Sequence, residues 1–395
     1  MTLALNHPMN PEKTPEELAR GRFVSGIRSL ILNDLAGDLK TAYDKRAAPA
    51  FKKREGREPA SSRDAHMALR GDPAFNIYSA MRVQAQKMVW ASVGDSVARE
   101  SDKLAAEAAK VSNQPGSVTL NPNLEVPRNV SAIDVHLMPG SYVRGEDSLE
   151  AGAIYDRGLA VFSMGLMGAN LDDIGLSMAK YISLRYPDFH PQRILDTGCT
   201  IGHNTLPWKQ TYPDAEVIAI DAAPGGLVYG SARAKMQGLE VHFQQMCADS
   251  LDFPDASFDM VWSSMFLHEL SKKTRAAAFA EAYRVLKPGG LMLHMELPPN
   301  GEMSAFDGFY LDWDSYYNEE PFYKGYRDES PPELCARAGF APENYFQFVV
   351  PSVGIYGEQA IADMVASDQA EAVGQATTGR LAEGVMWFGY GAWKQ

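Results

Sequence analysis

Apolar positions near the start of the chain recur at helical spacing. In "PEELARGRFVSGIRSLILNDLAGDL", Leu18, Phe23, Ile27, Leu30 and Ile31 fall near a helical period, with Thr14 as cap and Pro15 in the first turn. "AFNIYSAMRVQAQKMVWASVGDSVA" repeats the pattern through Ile77, Met81, Val83, Met88 and Val89. The intervening "KKREGREPASS" is polar and broken by Gly56 and Pro59, which predicts a loop. From Val111 to Asp147 the periodicity stops. "NQPGSVTLNPNLEVPRNV" is rich in Pro, Asn and Gly, as expected of irregular chain or short edge strands. We place a domain boundary there. It separates a mostly helical N-terminal domain, 1–150, from a second domain, 151–395.

The second domain opens with a helix in "LSMAKYISLRYPDF" and then alternates. Strands are expected at Arg193–Asp196, Glu216–Asp221, Val241–Gln245, Phe258–Trp262 and Leu291–Glu296. Helices are expected at Asn204–Thr211, Gly226–Gln237 and Lys272–Leu286. Such alternation predicts an α/β fold, a doubly wound parallel sheet with helices on both faces. "YFQFVVPS" and "VMWFGYGAWK" have strand composition and complete one edge, with Pro351 ending the first.

Composition narrows the function. The 395 residues are 45% hydrophobic and 22% charged, ordinary for a globular protein able to bury a core. A net charge of −13 without a long Lys/Arg run argues against nucleic acid as a partner. No apolar run is long enough to span a membrane, and the first residues lack a secretory signal. The three widely spaced cysteines form no disulfide framework and suit a reducing cytoplasm. The histidines form no recognised metal-ligand spacing, so no metal is expected.

The candidate chemistry begins at "ILDTGCTIG". Gly198 allows a tight turn and bare backbone, and Gly202 opens a helix whose first amides are free to face a polar group. Asp221 closes the next strand about 20 residues later, the spacing at which a carboxylate accepts ribose hydroxyls. An adenosine-containing cofactor is therefore expected.

Four ordered motifs carry a resemblance: "LDTGCTIG", "AIDAAPGGLVYGSARA", "CADSLDFPDASFDMVWSSMFLHEL" and "EAYRVLKPGGLMLHMEL". Together, over about Tyr155 to Gly301, they resemble the class I S-adenosylmethionine-dependent methyltransferases, in the flavour of the ubiquinone and menaquinone biosynthesis enzymes. The resemblance implies a Rossmann-like, mostly parallel seven-stranded sheet and S-adenosyl-L-methionine as cofactor. By the same resemblance Asp196, Gly198 and Gly202 frame the methionine part, and Asp221 holds the ribose with Ala222 beside it. Asp249 meets the adenine amino group, Ser250 lines that pocket, Ser263 lies near the reacting methyl and Tyr155 covers the cofactor. Thr200 stands where the family has its middle glycine, which narrows the loop.

For the acceptor, His268 and Glu296 are the expected catalytic groups, past the carboxyl ends of the fourth and fifth of these strands. His268 acts as base if the acceptor is a hydroxyl; its alternative is a structural histidine bonding backbone. The aromatic insertion near 300–330 offers Tyr310, Trp313, Tyr316 and Tyr317 to a substrate, or else packs against the N-terminal helices. The N-terminal domain forms a lid, a homodimer surface or both. The expected function is methyl transfer to O, N or S of a small molecule. A nicotinamide dehydrogenase fits worse, because the loop lacks the third-position glycine, and a non-catalytic methyltransferase-like binding protein remains the alternative.

Overall fold

The computed structural model describes residues 7, 9–10, 12–145, 148–367 and 384–395. Among these residues eight strands form one sheet: β1 Ser117–Thr119, β2 Arg193–Thr197, β3 Glu216–Asp221, β4 His242–Gln245, β5 Phe258–Ser264, β6 Leu286–Glu296, β7 Tyr345–Pro351 and β8 Met386–Trp393. Their order across the sheet is β1-β4-β3-β2-β5-β6-β8-β7. Pairings from β1 to β6 are parallel, whereas β8 pairs antiparallel with both β6 and β7.

The expected seven strands are thus corrected to eight. The added strand is β1, from the Pro/Asn/Gly-rich stretch, and it lies alongside β4. Gly116 (φ +99°) permits this, since a Cβ there would lie 2.8 Å from the Val241 carbonyl oxygen. The Ser117 hydroxyl also lies 3.0 Å from His242 Nδ1. Of the two readings of this stretch, irregular chain or short edge strand, the second holds for these three residues, which pair with the neighbouring edge.

Strand alternation divides the core into two layers. Val217, Ala219, Met260 and Trp262 face one layer with Met178, Ile182 and Trp208. Ile218, Ile220 and Val261 face the other with Phe279, Ala282 and Val285. The chain runs outward from β2 to β3 and β4, then returns across the sheet to β5. That reversal opens a crevice at the carboxyl ends of β2 and β5, the place where doubly wound sheets bind ligands.

Helices roof the crevice. The Pro15–Leu30 helix starts with the expected Thr14 cap, completed as a capping box by Glu17. Helical chain continues through two π turns, Ile31–Leu35 and Tyr43–Ala47, to Glu55, where Gly56 (φ 73°) ends it. The loop expected from Lys52 therefore begins only at Gly56. A long helix, Pro73–Arg99, is capped by Asp72. The aromatic insertion is the Ala305–Tyr317 helix, and its Phe306, Phe309, Tyr310 and Trp313 share a core with Leu32, Leu39, Phe75 and Tyr78 of the N-terminal helices. In the "LKPGG" turn Gly289 takes a positive φ (79°) and Gly290 does not.

Candidate active site

A cavity of 790 Å³ lies over the carboxyl ends of the central strands, within the range of small-molecule and cofactor sites. Its floor is the loop after β2. The amides of Gly198 and Cys199 both donate to the Ile220 carbonyl, at 2.8 and 3.0 Å, which ties this loop to the tip of β3. Gly198 sits at φ +74°, and a Cβ there would come within 2.1 Å of the Phe266 ring. The glycine is thus required by an aromatic ring following β5, a reason the sequence did not reveal.

Thr200 occupies a left-handed conformation (φ 50°) in the family's glycine position. Its amide donates to Asp221 Oδ2 at 2.9 Å, while Asp221 Oδ1 accepts from the Ala223 amide, also at 2.9 Å. One carboxylate therefore pins two turns. Behind the loop, Gly226 and Gly230 let the Pro224–Met236 helix press against it, since a Cβ at either would sit 2.8 Å from the carbonyl oxygen of Thr200 or Ile201. Gly202 does not frame the cavity: it turns toward the sheet, where a Cβ would meet the Phe243 ring at 2.8 Å.

Asp196, Gly198, Thr200, Asp221, Ala222, Asp249 and Tyr155 all border the cavity. Burial pushes the Asp196 carboxyl up to about 8, against a hydrogen bond from the Thr205 hydroxyl at 2.5 Å. Burial likewise raises Asp221 to about 6, opposed by the Ala223 and Thr200 amides. A cationic ligand would favour ionisation of both.

Two more expected cofactor residues lie elsewhere. Ser250 is exposed beyond the lining. Ser263 is fully buried on the opposite face of β5, with its hydroxyl 2.7 Å from His294 Nδ1. The strand runs two residues past Trp262, so Ser264 reaches the cavity edge, where it accepts from Asn204 Nδ2 at 3.1 Å. The period of two decides between adjacent serines, and placing the strand end at Trp262 put the wrong one at the site.

On the acceptor side, His268 and Glu296 meet. Glu296, at the end of β6, accepts the Phe266 and Leu267 amides on Oε1, at 2.8 and 2.6 Å, and faces His268 Nδ1 with Oε2 at 2.7 Å. The three short bonds fix the carboxylate, and the carboxylate fixes the ring. Burial disfavours the charged imidazole, but Glu296 outweighs it and the His268 pKa is raised. The Tyr323 ring packs edge-on against the imidazole at 5.0 Å.

Of the four expected substrate aromatics, only Tyr310 borders the cavity. Trp313 donates its indole N–H to Ser79 Oγ at 3.0 Å, with Arg82 stacked 4.0 Å over its ring. Tyr316 and Tyr317 engage His66, by a ring contact at 4.3 Å and a hydroxyl–Nε2 distance of 3.2 Å. These three belong to the interface with the N-terminal helices, the packing alternative.

Several lining residues escaped the sequence reading. His203 is buried, with Nδ1 lacking a hydrogen-bond partner among the described residues, and burial drives its pKa down to about 3. His136 takes a left-handed conformation (φ 58°) that directs its carbonyl to Gln86 and Trp90 and its ring to Glu320, Tyr142 and Glu269. No local pattern marks His136, whose partners lie up to 184 positions away.

The methyltransferase domain profile matches residues 194–290, spanning β2 to the turn within β6. The ubiquinone/menaquinone biosynthesis C-methyltransferase of Dinoroseobacter shibae is 30% identical over 172 residues, covering 39% of this chain and 68% of that relative. The chain belongs to the class I S-adenosylmethionine-dependent methyltransferase family. The demethylmenaquinone methyltransferase of Thermus thermophilus is 38% identical over 109 residues, 28% of this chain and 49% of that protein. The chain thus spans about half the length of the first curated relatives it matches. Phosphoethanolamine N-methyltransferase 2 of Haemonchus contortus, solved with S-adenosyl-L-methionine, superposes with a TM-score of 0.41 at 18% identity, over 64% of this chain and 61% of that one. The family match ends before Glu296 and excludes both the N-terminal helices and the aromatic helix.

Proposed function

We propose that this chain transfers a methyl group from S-adenosyl-L-methionine to an O, N or S atom of a small molecule. The observation that carries the proposal is the His268–Glu296 pair, held at 2.7 Å in the wall of the cavity that also contains Asp196 and Asp221. The cavity fits the cofactor: its volume suffices, its floor offers glycine backbone, and the unpartnered His203 Nδ1 awaits a polar group.

Asp221 and Ala222 hold the sugar, Asp249 the base, and Asp196 with the Gly198–Thr200 backbone the amino-acid part. Tyr155 closes over them. Bound there, the cofactor supplies an electrophilic methyl on a sulfonium. His268 accepts the acceptor's proton at Nε2 when the nucleophile is protic, while Glu296 holds Nδ1–H and stabilises the imidazolium. The raised affinity of His268 for a proton sets the sign of the pH dependence: methylation of a protic acceptor falls as pH drops below the raised His268 pKa. Trp90, Arg82 and Gln86 from the N-terminal helices border the chamber, so that layer acts as the cover excluding water.

Calorimetric titration tests the proposal. S-adenosylmethionine and S-adenosylhomocysteine are expected to bind and NAD not to. Asp221→Ala should weaken both adenosyl ligands about a hundredfold, the cost of one or two charge-assisted hydrogen bonds. His268→Gln should leave binding intact. Unchanged binding in Asp221→Ala would overturn the sugar assignment.

A further inference from the structure

Glu269 follows His268 in the turn after β5, and its carboxylate borders the same cavity with its side chain 14% exposed. Oε1 accepts the Tyr142 hydroxyl at 2.9 Å and lies 3.3 Å from His136 Nε2. Tyr142 in turn packs 5.7 Å from Tyr155, ring to ring. His136 is held from its other side by Glu320 at 2.9 Å, and Glu320 accepts Asn318 Nδ2 at 2.7 Å. Three elements remote in sequence thus orient one carboxylate. Oε2 has no hydrogen bond among the described residues, so half of a partly buried carboxylate is left to the cavity. Burial is the main cause of the raised pKa of Asp221 and of Tyr155, and the nearby Glu269 carboxylate adds to both.

Glu269 pairs with His136, but Glu320 shares the same imidazole, so one ring answers two carboxylates. Glu296 already serves the backbone and His268, and Asp221 already pins the loops. Two carboxylates facing one cavity repel each other, and that repulsion is relieved by a cation between them. Resting on the reading above, we propose that Glu269 is the residue that distinguishes the sulfonium cofactor from its neutral thioether product, by supplying an oriented negative charge to the methyl-bearing end of the cavity. Tyr142 and His136 are positioning residues for it. The arrangement favours the charged cofactor over the product that must leave.

The test compares two ligands differing in that charge. Calorimetry on the full chain gives the ratio of S-adenosylmethionine to S-adenosylhomocysteine affinity, for wild type, Glu269→Gln and Tyr142→Phe. In Glu269→Gln the ratio should fall roughly tenfold, the scale of one partly screened charge pair, with S-adenosylhomocysteine binding unchanged. Tyr142→Phe, which keeps every charge but frees the carboxylate, should lower the ratio about two- to threefold. If Glu269→Gln does not fold, Tyr142→Phe decides alone. Loss of both ligands in parallel, or an unchanged ratio, overturns the role of Glu269. Failure of wild type to bind either ligand overturns the methyltransferase reading itself, a distinct result.

Discussion

The sheet tips and the helical roof enclose the same cavity but are built differently. At the tips, the strand end, the glycine turn and the acid closing the next strand are each marked by local sequence, and Phe266 and Glu296 join them from farther along the chain. The roof depends on pairs such as Trp313 with Ser79 and Arg82 with Asp314, joined across more than 200 positions. The tips of β2 to β5 lie in the family's matched region, whereas the tip of β6 and the roof do not. In the proposed function the first surface meets the cofactor and the second meets the acceptor.

The largest expected effect separates the two surfaces outright. Trp313 is 1% exposed and anchors the roof. Trp313→Ala should cost about 3–5 kcal/mol of stability in denaturant titration, the usual range for a buried aromatic. S-adenosylhomocysteine affinity of the folded variant should not change. A collapse of that affinity would show that the aromatic helix shapes the cofactor site and erase the contrast.

A smaller effect probes the tips. Asp196 holds its proton up to about 8, far above its unfolded value. The folded state therefore binds one more proton than the unfolded state between those limits, and stability falls as pH rises through this window. The slope is at most about 1.4 kcal/mol per pH unit. Asp196→Asn should flatten the dependence between about pH 5 and 8 by roughly 1 kcal/mol per unit. A slope identical to wild type would mean that Asp196 is ionised in the folded protein.

The smallest effect concerns Thr200. Glycine would relieve left-handed strain of about 1–2 kcal/mol and lose about 0.5–1 kcal/mol to chain entropy. Thr200→Gly should raise the melting temperature by about a degree. A clear drop would reveal that the threonine side chain holds the loop.

Much of the molecule was legible in the chain. Alternating apolar runs located β2 to β6, and the motif order located Asp196, Gly198, Asp221 and Asp249 at one crevice. His268 and Glu296, chosen separately at the ends of two adjacent strands, proved to be hydrogen-bonded to each other. Ser263 was misplaced because β5 runs two residues past Trp262, and alternation along it turns Ser263 away from the cavity. Gly202 failed because a positive φ serves packing as readily as binding. Tyr316 and Tyr317 failed because an aromatic stripe on a helix looks the same whether it faces a substrate or a neighbouring helix.

By itself the sequence determined the parallel sheet, the loop at its centre and the acid on the next strand, because strand period, glycine φ and turn chemistry act over a few residues. Tertiary structure alone decided which side chains face the chamber. It turned Ser264 inward, closed β1 onto the edge, and brought His136, Tyr142 and Glu320 to Glu269. Such convergence is set by how layers pack, and packing joins residues that no local pattern relates.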